Sequence, residues 1–223
     1  LLTVLKTSGL ASSAHVNLAS VETTRLLQRS SRLSTLVECG GYRNLSSFSD
    51  LFYRALNLDS SNERALLGAG RIEWLRGNCQ AAAALFDEAV IQRPNDVMAT
   101  FFWANSLLAQ GEIIRAMDFY KEIDSSGAFF AVGQEIAYTQ GRDAALKWYE
   151  LSVAIEPTRK NVEALSSTYL NVKLDSKRAL EAWEQLKNSS SQYTVDYWYA
   201  SAQIAEITGN DSQAVLHYES AIL

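Results

Sequence analysis

Between residues 63 and 92 apolar and polar positions follow a helical period. Ala65, Leu66, Ala69, Ile72 and Leu75 recur three and four residues apart, which places them on one face of a helix running from about Glu63 to Arg76. Ala82, Leu85, Phe86, Ala89 and Val90 form a second stripe, on a helix from about Cys79 to Gln92. Gly77-Asn78 lies between them, and both residue types tolerate the left-handed conformation that ends a helix. Pro94 cannot continue the second helix, and Asp96 is a suitable cap for the next one. The segment therefore predicts two antiparallel helices closed by a short turn.

The same spacing returns along the chain. From Gly77 the offsets are five to Ala82, four to Phe86, three to Ala89 and five to Pro94. Gly111, Ala116, Tyr120 and Ile123 keep the first three intervals, as do Gly209, Ala214, Tyr218 and Ala221. Ala145, Tyr149, Ser152 and Pro157 keep the last three, and weaker copies begin at Phe48 and Ala179. Phe48, Ala82, Ala116, Ala145, Ala179 and Ala214 are 34, 34, 29, 34 and 35 residues apart, and a period near 34 marks stacked supersecondary units. Repeats are expected at about 29–62, 63–96, 97–125, 126–159, 160–194 and 195–223. Residues 1–28 form an N-terminal segment with a loose start, then a helix over about Val16–Ser30 carried by Val16, Leu18, Val21, Leu26 and Leu27.

Small residues have a physical role in such a stack. Two backbones approach closely only where the contact side chains are small, so Gly70, Ala82 and Ala89 are expected at helix crossings, with Phe86 filling the gap beside them.

Composition narrows the picture without changing it. The 223 residues, 48% hydrophobic, suffice for a large interior, and the 2 prolines and 11 glycines fall mostly between helical stretches, which points to an all-α chain. The net charge of −5 and the lack of a basic run exclude a nucleic-acid footprint.

The pattern resembles the tetratricopeptide repeat family, whose signature runs aromatic, Leu, Gly, Tyr in the first helix and Ala, aromatic, Ala, Pro in the second. The resemblance covers about residues 29–223 and is strongest in "ERALLGAGRIEWLRGNCQAAAALFDEAVIQRPND" and "VDYWYASAQIAEITGNDSQAVLHYESAIL". Two departures stand out: residues 97–125 end in "EIDSSG" without the closing proline, and Gly141 precedes Ala145 by four positions and not five. The resemblance implies a right-handed α-solenoid of stacked helix pairs whose first helices line a concave groove, and a non-catalytic role in binding a peptide or helix of a partner protein.

The residue after each small crossing residue of a first helix is expected to face that groove. Those residues are Arg71, Asn105, Gln134, Thr168 and Gln203, a polar row in which amides could bond the backbone of an extended peptide, or merely keep that face solvated. Phe101, Phe130 and Tyr199 lie beside them, with Trp74 and Phe102 nearby as the preferred aromatic contacts, although a stripe at helical spacing also serves as core. Only Arg64 and Arg71 are placed to meet a carboxylate, which disfavours a chaperone tail ending in one, since related grooves of that kind use a larger basic cluster.

Catalytic chemistry has no foothold in the sequence. His15 lies in a Ser-rich stretch and His217 in the last helix, neither with a partner at motif spacing. "GLASSA" and "SSSQ" are not nucleophile elbows, and the "GAG" at 68–70 lies within a helix. No enzyme, metal or cofactor is expected. Cys39, placed on a first helix, and Cys79, opening a second, are expected to be unpaired and buried. The Asn-x-Ser/Thr triplets at Asn44, Asn188 and Asn210 are too short to be informative.

The opening "LLTVL" reads equally as the last turn of a membrane anchor, a trimmed signal segment or the first turn of a soluble helix. Two functional readings stay open: an interaction scaffold, and an accessory module of a larger membrane-associated complex or enzyme whose chemistry lies elsewhere. The final helix offers Val215, Leu216, Ile222 and Leu223, so Ile222 and Leu223 are expected to meet a downstream segment or partner chain unless Leu216 and Ile222 turn inward onto Ile204 and Ile207.

Overall fold

The computed structural model describes residues 12–13, 16–17, 37–40 and 46–222. Most of the expected helix over Val16–Ser30, the opening "LLTVL", His15, Asn44 and Leu223 lie outside the described residues. Among the described residues there are eleven α-helices and no strand. They divide into two compact units, Leu1–Ile123 and Asp124–Leu223.

The first unit contains α1 (Ser46–Leu58), α2 (Glu63–Arg76), α3 (Cys79–Gln92), α4 (Val97–Ala109) and α5 (Ile113–Glu122). The second contains α6 (Ser126–Thr139), α7 (Arg142–Ile155), α8 (Arg159–Thr168), α9 (Ser176–Ser189), α10 (Thr194–Ile207) and α11 (Asp211–Ile222). A single π turn, Tyr169–Lys173, extends α8, and a 3-10 turn, Ser191–Tyr193, precedes α10. Within each unit every helix packs on its neighbour in the chain, so the helices stack as antiparallel pairs. No described helix is long and apolar enough to cross a membrane.

Asp96 caps α4 as expected, accepting from the backbone N–H of Ala99 at 2.9 Å, and Asn62, which the sequence reading did not single out, caps α2 by accepting from the Ala65 N–H at 3.1 Å. Gly77 takes φ 87°, a conformation costly for any residue with a Cβ, and its N–H returns to the Trp74 carbonyl. The shortened spacing before Ala145 has a local cause. Gly77 is followed by a separate cap residue, Asn78, whereas Gly141 at φ 99° is itself the residue before α7, so that turn loses one position. The other departure, "EIDSSG", falls where the two units divide; there Asp124 adopts φ 48° and only three residues separate α5 from α6.

At three helix crossings a glycine lies beneath an aromatic ring. A Cβ placed on Gly70 would lie 2.5 Å from Phe86 Cε1, one on Gly68 would lie 2.2 Å from Phe52, and one on Gly133 would lie 2.6 Å from Tyr149. Ala82, Phe86 and Ala89 are buried as the crossing argument requires, while Ala81 is exposed. Polar interiors are bonded. Glu73, 5% exposed, accepts from Arg76 at 2.8 Å and from Asn78, and Arg76 reaches Ser49 of α1 at 3.0 Å. In the second unit Asn161 donates to the Ser152 hydroxyl at 3.0 Å and the Glu156 carbonyl at 2.8 Å, which ties the start of α8 to α7.

The cysteine expectation is overturned. Cys39 and Cys79 form a disulfide, with Cα atoms 5.9 Å apart across a separation of 40 residues. The reason is the position of Cys39: the chain leaves the helix after Val37, so Cys39 stands in a bend and not inside a helix. The Gly40 N–H donates to the Trp74 carbonyl at 2.8 Å, and its Cα lies 3.7 Å from where a Gly77 Cβ would be. Two successive turns are thus stacked, and each carries its cysteine to the same edge.

Both the disulfide and the crossings can be checked in solution. Intact mass of the denatured chain is expected to rise by two hydrogens on reduction, and the reduced protein to lose up to about 4 kcal/mol, the entropy of opening a loop of this length, read as a drop in melting temperature. Gly70→Ala is expected to destabilise by about 1–3 kcal/mol through the clash with Phe86, whereas Gly127→Ala, which meets nothing within 4 Å, is expected to be neutral or stabilising in chemical denaturation.

Candidate functional site

In the first unit α2 and α4 are the first helices of their pairs, and they bring together five of the expected site residues. Arg71 is partly buried, with its guanidinium carbon 5.3 Å from the centre of the Phe102 ring. Burial lowers its pKa from the usual arginine value. Phe101 lies edge-on to Phe102 at 5.9 Å and near Tyr120 at 6.2 Å, and is itself buried. Asn105 is 1% exposed, and its Oδ1 accepts from the Tyr120 hydroxyl at 2.6 Å. Burial pushes the Tyr120 pKa well up.

The aromatic pair preferred for contact is placed in the interior. Trp74 and Phe102 are each 1% exposed and share a cluster with Ala82 and Phe86, where Phe102 stacks on Phe86 at 5.2 Å. The Trp74 indole N–H is buried with no partner among the described residues.

In the second unit the corresponding residues diverge. Phe130 is buried between the Tyr149 ring at 5.8 Å and the Lys160 ammonium at 4.7 Å from its centre. Thr168 is buried and its hydroxyl donates to the Ala164 carbonyl at 2.8 Å, so it is committed to its own helix. Gln134 and Gln203 are exposed, and Tyr199 is 51% exposed with its ring edge-on to Tyr218 at 5.6 Å. The polar row is therefore discontinuous: its position alternates between presented and buried, because a tyrosine hydroxyl or a backbone carbonyl captures some members.

Tyr199 and Gln203 line a cleft of about 420 Å³ between α8 and α10. Its floor includes the buried Trp183 and Ile204, and Ile207, 70% exposed, stands at its side. Leu170 and Asn171 of the π turn line the opposite wall, and the Asn171 amide donates to the Ser167 carbonyl at 2.8 Å. At the rim Arg159 bridges Glu163 at 3.0 Å and Asp196 at 3.2 Å. The hydrogen bond to Glu163, followed by the field of Asp196, raises the Arg159 pKa. Sequence reading missed Leu170, Asn171, Ile207 and this ion triad. The Arg159–Glu163 spacing of four was a visible signal, but the widened turn at Tyr169–Lys173 has no signature in the hydrophobic period.

A second cleft, of about 390 Å³, opens between α7 and α9 and is lined by Glu150, Tyr169 and Arg178 among others. The Tyr169 hydroxyl donates to Glu150, and burial together with that carboxylate pushes its pKa up to about 12. His217 lies against the Trp198 ring at 5.4 Å. Ile222 is 85% exposed and Leu216 59% exposed, so neither has turned inward onto Ile204 and Ile207. Among the described residues no group of His, Cys, Asp and Glu is arranged to hold a metal.

A family model described as Tetratricopeptide repeat matches residues 51–97 and 67–129. No curated protein matches the chain. Among solved structures, the Pseudomonas aeruginosa protein pilF is 13% identical, with 94% of this chain and 90% of that one covered and a TM-score of 0.45. A thermophilic TPR protein in Thermus thermophilus is 18% identical, with 95% and 99% covered and a TM-score of 0.43. YrrB, a TPR protein with an unusual peptide-binding site, is 13% identical, with 78% and 92% covered and a TM-score of 0.40.

The buried bond at Asn105 separates a structural role from a binding one. Tyr120→Phe is expected to destabilise the chain by about 1–3 kcal/mol in urea unfolding, by removing a donor from a buried amide. Gln203→Ala, at an exposed position, is expected to change stability by less than about 0.5 kcal/mol in the same measurement.

Proposed function

We propose that this chain, whose residues 51–129 are tetratricopeptide repeats, is a non-catalytic scaffold that holds a partner protein by an extended segment laid against its first helices. The observation that carries the reading is the cleft between α8 and α10. Its floor is apolar at Trp183 and Ile204, its exposed wall is Tyr199 and Ile207, and Gln203 offers an amide with no partner among the described residues. An apolar floor supplies affinity by burial, while an amide that both donates and accepts suits a peptide backbone whatever its side chains. The other groove candidates divide accordingly. Within the first unit Arg71 is the contact residue, with Trp74, Phe102 and Asn105 supporting it from inside and Phe101 between the two roles; within the second Gln134, Tyr199 and Gln203 are the contacts, with Thr168 inside and Phe130 between the two roles.

The Cys39–Cys79 bond supports work in an oxidising compartment, since such bonds persist where thiols are not kept reduced. It does not distinguish a free scaffold from an accessory module of a membrane-associated assembly.

Photo-crosslinking tests the face directly. A benzophenone side chain introduced at Gln203 or Tyr199 is expected to trap the same partner segment, identified by mass spectrometry, whereas one at the exposed Glu184 of α9 is expected to trap neither that segment nor a comparable yield. Equal trapping at Glu184 and Gln203 would overturn the assignment of the face.

A further inference from the structure

Among the described residues of the first unit, one partly buried cation has no carboxylate partner. Arg71 sits midway along α2, partly buried, with its guanidinium over the Phe102 ring. A guanidinium remains protonated at any physiological pH, and a cation withdrawn from water is normally matched by a carboxylate. The other partly buried arginine of the same unit follows that rule, since Arg76 meets Glu73 at 2.8 Å, and even the exposed Arg93 and Arg115 meet Glu63 and Glu112, each at 2.5 Å. Arg71 has no carboxylate partner among the described residues, although the chain carries 25 acidic residues against 20 basic ones. Burial lowers its pKa. Arg64, exposed and seven residues earlier on the same helix, stands two turns away on the same side and also lacks a carboxylate among the described residues.

Packing alone does not account for the charge. An aliphatic or amide side chain would cover Phe102 without placing a cation in a partly dry site. Phe102 does contribute: its ring lies 5.3 Å from the guanidinium carbon, an aromatic contact that uses none of the guanidinium's hydrogen-bond donors in a conventional bond. An acceptor arriving from outside would complete the pairing that the fold omits.

We propose that Arg71 anchors a carboxylate side chain, Asp or Glu, carried within the partner's extended segment. This rests on the reading that first helices hold such a segment, but it concerns the α2–α4 face and a specific chemistry. A bidentate guanidinium–carboxylate pair gives direction as well as attraction, so the acidic residue sets where along the face the segment docks. Arg64 contributes attraction at longer range and little geometry. A terminal carboxylate would offer the same chemistry; the proposal commits to a side chain because a single guanidinium on a ring, without a surrounding basic cluster, suits one acidic residue inside a longer apolar stretch.

Two pools of fluorescein-labelled nonapeptides test this, acetylated and amidated so that no terminal carboxylate exists. Flanking positions are mixed Ala, Leu and Ser, and the central residue is Glu in one pool and Gln in the other. In fluorescence polarisation against the whole chain the Glu pool is expected to bind about tenfold more tightly. Arg71→Gln is expected to bring the two pools to equal affinity, Arg71→Lys to retain part of the preference, and Arg64→Gln to retain most of it, each variant keeping the parental circular dichroism. Equal binding of both pools to the parent, or a Glu preference that survives Arg71→Gln, overturns the proposal while leaving the scaffold reading intact. Preference restored only by a free C-terminal carboxylate also overturns it. Binding of neither pool to any variant overturns the extended-segment reading itself.

Discussion

Everything else in this chain depends on how closely two helices of a pair can approach. The approach is set by a small residue on one helix lying under an aromatic ring on the other, as Gly70 lies under Phe86 and Gly133 under Tyr149. There is no room for even one methyl group in either place, so the distance between the helices is determined by hard contact. Ala82 and Ala89 extend the same close approach along α3, and both are buried beside Phe86. The ring occupies the space that a side chain on the glycine would need, so the crossing is close.

That constraint decides what the neighbouring position can do. The residue after the crossing residue emerges at the edge of the packed seam, where its fate depends on what the facing helix offers. Opposite Asn105 the second helix supplies a tyrosine hydroxyl, and the amide is drawn in; at Thr168 the residue's own helix supplies a carbonyl. At Gln203 neither occurs and the amide stays in water. One structural register thus yields both internal braces and presented groups, and the contact surface of each unit is correspondingly irregular.

The helix pair at 63–92 was legible because its signals were local: a left-handed Gly77 and a closing Pro94 punctuate two clear periods. The crossings were legible for the same reason, since spacing alone places a small residue against a ring. The interior position of Trp74 was not. α2 buries residues on two sides, with Ala65, Ala69 and Ile72 in one cluster and Trp74 in another, so helical period cannot say which side of the helix meets solvent. The Cys39–Cys79 bond was hidden for a different reason: it depends on two turns a full repeat apart coming into register, and on the chain leaving its helix just before Cys39. The π turn after α8 was equally silent, because one extra residue in a turn leaves no mark in the hydrophobic pattern.

Paired and unpaired charge separates framework from surface more sharply than hydropathy does. Glu73 is almost fully buried, yet it is answered by Arg76 and Asn78 and braces α2 against the start of α3. Arg159 at the rim of the α8–α10 cleft is answered twice, by Glu163 and Asp196, and there the triad leaves a net negative mouth beside an apolar floor. Arg71 is partly buried and, among the described residues, meets an aromatic ring and no carboxylate. A fold selected only for its own stability would neutralise such a group, since an unmatched, partly buried cation opposes folding. Its retention in a chain rich in carboxylates is understandable if the matching charge arrives from another molecule.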